Sequence, residues 1–99
     1  MLIDPQFAPK VIGKPDAERM VALISSTAKR ENVDLFRRFE VMRHWRDVGR
    51  LTFETFISPD GLHMNDWSYG CVARLLAAAI LDGVKPPTAT ATVAPSVKR

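Results

Sequence analysis

Ser58-Pro59-Asp60-Gly61-Leu62-His63-Met64-Asn65-Asp66 places a carboxylate three residues ahead of an imidazole at the mouth of an apolar-faced helix. Pro59 and Gly61 interrupt regular structure on either side of Asp60, so the segment reads as a turn that can bring both side chains to one edge. A general base that takes a proton from a hydroxyl needs its imidazole held in one orientation. A carboxylate bonded to the far ring nitrogen provides that. Asp60 and His63 are the residue types that fit the two roles, His63 as base and Asp60 as its orienter. The plainer reading of the same stretch is a turn aspartate followed by a surface histidine.

Downstream of the turn, Asn65 suits the N-cap of a helix that buries Val72, Leu75, Leu76, Ala79 and Ile80 and stops at Gly83. Upstream, residues 1–4 read as the stub of a buried strand ending in Asp4, and 5–14 as a loop punctuated by Pro5, Pro9 and Gly13. Pro15 fits the first position of a helix, where its missing donor is harmless. That helix runs to Asn32 with Ala17, Met20, Val21, Ile24 and Ala28 on one face, and Val33 to Phe36 form a second strand. Phe39 to Val48 read as helix, closed by Gly49. L-T-F-E-T-F-I over 51–57 has strand composition, yet Phe53, Phe56 and Ile57 also fall on one helical side. Strand, helix, strand, helix is the order of an α/β fold with parallel strands and right-handed crossovers. Parallel strands normally have both faces covered and more than two members, so this chain is expected to leave a sheet edge and apolar surface unpaired. Further chain, or copies of this one associating through that edge, would complete the sheet.

The run D-G-L-H-M-N-D-W-S-Y-G over 60–70, followed by V-A-R-L-L-A-A-A-I over 72–80, resembles the last block of the SGNH hydrolases, the GDSL-type esterases and lipases. That block reads D-G-x-H, then a Gly, here matched by Gly70, and an Ala/Leu-rich helix. I-D-P-Q-F-A-P over 3–9, the helix after it and V-D-L-F-R-R-F over 33–39 are similar to the preceding strand, helix and strand of some bacterial members. The likeness runs through residues 2–81 and is specific around 58–80. It implies a partial three-layer α/β/α, flavodoxin-like domain over 1–84, in which Asp60 and His63 serve a serine nucleophile in ester hydrolysis. The family's G-D-S block, its second-block Gly and its G-x-N-D block do not occur in these 99 residues. Asn65-Asp66 lacks the preceding G-x and lies within the His block, so Asn65 does not match the oxyanion donor. The resemblance therefore implies the C-terminal part of a serine ester hydrolase, inactive alone, which meets an ester substrate only with a complementing N-terminal part. A non-catalytic oligomeric interaction module that keeps the fold remnant is the alternative.

Net charge is +3, with Lys98 and Arg99 near the C-terminus and Arg37, Arg38, Arg43, Arg46 and Arg50 clustered around His44 and Trp45. Glu40 and Asp47 interrupt that cluster, and Val41, Met42, Trp45 and Val48 recur at helical spacing. A solvated helix face accounts for the arginines, and no nucleic-acid partner is expected. Asp60, His63 and Asp66 lack a further ligand at metal-site spacing, since His44 is remote in sequence, so neither metal nor cofactor is expected. Cys71 stands alone and reads as a small buried hydrophobe. Trp67 and Tyr69 either line an acyl pocket or pack. Pro5 to Pro9 suit a site rim, because open sheets bind ligands at the carboxyl ends of their strands. Residues 85–99, rich in Pro, Thr and Ala, read as a disordered tail. No signal peptide follows Met1 and no apolar run reaches membrane-spanning length, so as it stands the chain reads as cytoplasmic and without a membrane partner, although relatives are often exported.

Overall fold

A computed structural model describes residues 1–84, and the tail expected over 85–99 lies outside them. The elements are β1 (Leu2–Ile3), α1 (Pro9–Ile12), α2 (Ala17–Arg30), β2 (Leu35–Phe36), α3 (Arg38–Asp47), α4 (Phe53–Phe56) and α5 (Asp66–Val84). The fold is mixed α/β and mostly helical. Its two strands pair in parallel, with Leu2 opposite Leu35 and Ile3 opposite Phe36. The Leu2 N–H donates to the Asp34 carbonyl at 2.8 Å and the Asp4 N–H to the Phe36 carbonyl at 3.3 Å. In a parallel ladder alternate residues face the same neighbour, so the Ile3 amide points away from β2 toward an edge unpaired among the described residues. Leu2 and Ile3 are 37% and 45% exposed, where strands of a completed parallel sheet would be covered.

A strand pair this short needs holding from outside. The Asp4 carboxylate, 1% exposed, accepts the Phe39 N–H at 2.8 Å. The N-cap residue of α3, Arg37, makes no side-chain cap bond. Asp4 therefore caps α3 from the end of the neighbouring strand, satisfying a helix-terminal donor from a distance. Arg38 adds a bond from Nε to the Asp4 carbonyl at 3.0 Å. The start of α3 is thus tied to the carboxyl ends of both strands.

Two helices differ from expectation at their starts. Within the expected loop, Pro9 opens the single turn α1, its fixed φ and absent donor suiting the first helical position. Pro15 is not the first residue of α2; the Ala17 N–H closes a turn onto the Lys14 carbonyl, and the Asp16 carbonyl accepts the Met20 N–H that begins the helix. Ala17 and Ala28 are buried and Val21 and Ile24 half-buried, but Met20 is exposed, so the buried stripe of α2 is narrower than its spacing suggested. Asn32 follows at φ 55, in the left-handed region that asparagine tolerates.

Residues 51–57 divide between their two readings. Phe53–Phe56 form the short helix α4, while Ile57 is extended and forms an antiparallel bridge with Met64. The expected Asn65 cap of α5 is present in reciprocal form: Asn65 Oδ1 accepts the Ser68 N–H and Ser68 Oγ accepts the Asn65 N–H, both at 3.0 Å. Ser68 is fully buried and also donates to the Phe56 carbonyl at 2.6 Å, fastening α5 to α4. Val72 and Ala79 are buried and Leu75 and Leu76 pack against the core, but Ile80 is 50% exposed and the helix continues through Gly83.

The core gathers Phe7, Ala8, Phe36, Phe39, Met42, Phe56, Ile57, Met64, Val72 and Ala79. Phe7 meets Phe39 edge-on at 5.2 Å and stacks on Phe53 at 5.6 Å, and Trp45 meets Phe56 edge-on at 5.5 Å. Each such pair contributes about 0.5–1.5 kcal/mol beyond its buried area.

Burial raises the pKa of Asp4, opposed by the Phe39 N–H and by the charges of Arg38 and Arg37. A raised folded pKa makes the protonated form favour folding, a contribution present below the unfolded value of about 3.9 and lost as pH rises through the folded one. Asp4→Asn keeps an acceptor for Phe39 without the buried charge, so its stability relative to wild type should improve as pH rises through that window. Asp4→Ala, which loses the cap, should cost about 1–2 kcal/mol more than Asp4→Asn. Thermal denaturation of the three proteins across acid to neutral pH measures both effects.

Candidate functional site

The turn after α4 is a closed hydrogen-bond circuit. Asp60 Oδ1 accepts the N–H groups of Leu62 and His63, both at 2.9 Å, as an aspartate does when it builds its own turn. Gly61 sits at φ 74, a conformation that favours glycine. The four carbonyls that follow all have donors. Those of Gly61 and Leu62 accept from the Lys10 N–H and from Gln6 Nε2, each at 2.9 Å. Those of His63 and Met64 accept from the Ser58 N–H at 2.7 Å and from Ser58 Oγ at 3.1 Å.

That circuit leaves the second oxygen of Asp60 for the imidazole. Asp60 Oδ2 lies 2.5 Å from His63 Nδ1. A carboxylate only accepts, so Nδ1 carries the proton, and in the neutral ring Nε2 keeps its lone pair. Among the described residues no protein group bonds Nε2, and the His63 side chain is 64% exposed. The His63 ring, followed by the backbone N–H groups of His63 and Leu62, holds the Asp60 carboxyl well below the usual carboxylate range. The residues expected to act together are brought together, with an oriented imidazole open to an incoming hydroxyl.

The turn also has a definite place in the fold. Gln6 follows β1 and grips Leu62; Arg38 follows β2, and its Nη1 approaches Met64 Sδ at 3.8 Å. The turn is therefore tied, at Leu62 and Met64, to the segments that leave the carboxyl ends of both strands. On the other side of the turn, Pro9, Phe53, Ile57, Pro59 and Gly61 line part of a concavity of about 560 Å³ that neither Asp60 nor His63 lines.

Other residues marked by the sequence are elsewhere or serve otherwise. Asp66 occupies the first turn of α5, favourable for a negative charge at a helix N-terminus, and no group of three or more His, Cys, Asp and Glu among the described residues could hold a metal. Trp67 is 47% exposed and meets Trp45 edge-on at 5.3 Å, while Tyr69 is 52% exposed. Cys71 is half-buried rather than in the core, and Arg74 Nη2 donates toward its sulfur at 3.6 Å. The arginines disperse into local partnerships: Arg37 to Ser25 Oγ, Arg43 to Glu18 and Glu40, and Arg46 over the Phe53 ring.

The expected rim segment, Pro5 to Pro9, meets the turn through Gln6, while sequence reasoning assigned no role at the turn to Gln6, Ser58 or Arg38 individually. Ser58 follows the turn grammar of serine beside Pro-Asp-Gly and was open to discovery. The particular bond of Gln6 was not, since its partner lies 56 positions away. No protein-family model matches the chain, and neither does any curated protein or solved structure.

A depressed carboxylate pKa fixes the pH response. The bonds to Asp60 are fully present above the unfolded value of about 3.9 and are lost only as pH falls below it, through the folded value. The Leu62 and His63 amide resonances should hold their shifts below pH 3.9 or so and move together at stronger acidity. Asp60→Asn should abolish that joint titration. Movement of both amides at the ordinary aspartate midpoint would contradict the bonded turn.

Proposed function

We propose that this chain is the C-terminal part of an SGNH-type serine ester hydrolase, a partial three-layer α/β/α domain that contributes the Asp60–His63 pair of its triad. The observation that carries the reading is the Asp60 Oδ2 to His63 Nδ1 bond of 2.5 Å, with Nε2 unbonded among the described residues and the turn tied to the segments that leave the carboxyl ends of parallel strands. The sequence resemblance over residues 58–80 supports the same assignment.

In this reaction a serine from residues outside these 99 attacks an ester carbonyl. His63 Nε2 accepts the hydroxyl proton as the new C–O bond forms, then gives it to the departing alkoxide as the ester bond breaks. A water molecule repeats the cycle on the acyl-serine, with His63 again taking and returning the proton. Asp60 holds the ring in its Nδ1–H tautomer and stabilises the imidazolium formed between the two transfers. The exposed β1 edge, with Leu2 and Ile3 uncovered, is the seam for the remaining strands, supplied in the same or another polypeptide.

The purified chain should not hydrolyse a short-chain p-nitrophenyl ester above the rate of free imidazole; faster turnover that vanishes in His63→Ala would overturn the proposal. Joined to an N-terminal part that carries the Ser, Gly and Asn blocks, the chain should support hydrolysis. There His63→Ala should lower kcat by about a hundredfold or more, and Asp60→Asn by less. Full activity in the His63→Ala protein would refute the base assignment.

The seam makes a separate prediction for the isolated chain: it should self-associate at micromolar concentration in a sedimentation experiment. A monomer with one cooperative unfolding transition would show that the apolar edge needs no cover.

A further inference from the structure

We propose that Gln6 and Arg38 are positioning residues for His63, forming a one-way hydrogen-bond relay from the end of β1 to the peptide that carries the imidazole. Their role in turnover rests on the hydrolase reading; the relay itself rests on geometry.

The relay has a fixed polarity. Arg38 can only donate, and it is anchored by Nε to the Asp4 carbonyl at 3.0 Å. Its Nη2 approaches Gln6 Oε1 at 3.4 Å, so the Gln6 amide must turn its oxygen toward the guanidinium. The amide nitrogen is thereby aimed at the Leu62 carbonyl, which can only accept, at 2.9 Å. The two half-buried side chains thus carry orientation from the strand end to the turn without an ambiguous link.

The receiving peptide makes this matter for the imidazole. The Leu62–His63 unit is planar, with its carbonyl on one side and the His63 N–H on the other. Gln6 holds the carbonyl and Asp60 Oδ1 holds the N–H at 2.9 Å. Gripped on both edges, the plane fixes the direction in which the His63 side chain leaves the backbone. The preceding unit is held in the same way, by the Lys10 N–H on the Gly61 carbonyl and by Asp60 on the Leu62 N–H. Of these outer grips only that of Gln6 is a side chain, so it is the one a substitution can remove cleanly.

Two replacements separate positioning from packing. Gln6→Met keeps a similar volume without hydrogen bonds. Gln6→Glu keeps the partner of Arg38 but presents an acceptor to the Leu62 carbonyl. In the 99-residue chain, both should speed hydrogen exchange of the His63 amide by about fivefold or more, the loss of one hydrogen bond, while the Phe39 and Val72 amides keep their rates. The NMR signal of the His63 Nδ1 proton should shift toward that in Asp60→Asn. If Gln6→Met unfolds the chain, Gln6→Glu carries the same measurement. Unchanged exchange at His63 in a folded variant overturns the relay, whatever the esterase assay gives. In the reconstituted hydrolase, both replacements should lower kcat and leave KM unchanged. Altered exchange with undiminished kcat, in an enzyme that His63→Ala inactivates, overturns the role in turnover alone. Activity that survives His63→Ala refutes the hydrolase reading instead and leaves the relay to the exchange result.

Discussion

The buried Asp4 carboxylate is the constraint on which the other parts of the structure depend. Two strands of two residues each have too short a ladder to stay paired by themselves. By accepting the Phe39 N–H, Asp4 joins the end of β1 to the start of the helix that leaves β2. Desolvation raises its pKa, while the helix-terminal donor and the nearby arginine charges act in the opposite direction. Arg38 is held in the same arrangement, and burial lowers its pKa in turn. This polar knot sits where the apolar core meets the open end of the sheet, and it orients the guanidinium that reaches toward the turn.

A second fastening works from the opposite side. Ser68 joins the first turn of α5 to the end of α4, and the Ile57–Met64 bridge closes the loop between those helices. The Asp60–His63 turn is suspended between the two fastenings, with Gln6 and Lys10 on one flank and Ser58 on the other. Its backbone is ordered by bonds although its two key side chains are largely in water. An exposed pair can therefore have a definite geometry without a buried pocket around it.

The features legible in the sequence were those with local causes. The bonds that Asp60 makes within the D-x-x-H turn involve only Leu62 and His63, and the N-cap of α5 follows from Asn65 preceding an apolar helix. Parallel strands followed from the alternation of elements. What escaped depended on contacts distant in sequence. Nothing beside Asp4 signals that its carboxylate caps a helix beginning at Arg38, and Pro15 fits a helix start until the Lys14–Ala17 turn delays that start by two residues, to Ala17. Helical spacing put Ile80 and Met20 on buried faces, but spacing specifies a stripe and not its width. Cys71 was assigned to the core from its residue type and its place in an apolar helix, whereas it is half-buried and Arg74 supplies it with a polar neighbour.

The Gln6–Leu62 bond closes a loop across 56 positions, and that separation has a consequence for the order of assembly. Bringing distant segments together costs chain entropy before any contact between them forms, so bonds of this kind are made late in folding. On a ribosome the residues that grip the imidazole-bearing peptide emerge well before that peptide exists. Until Leu62 arrives, Gln6 has no carbonyl to hold, and the chemistry proposed for His63 is withheld from the growing chain.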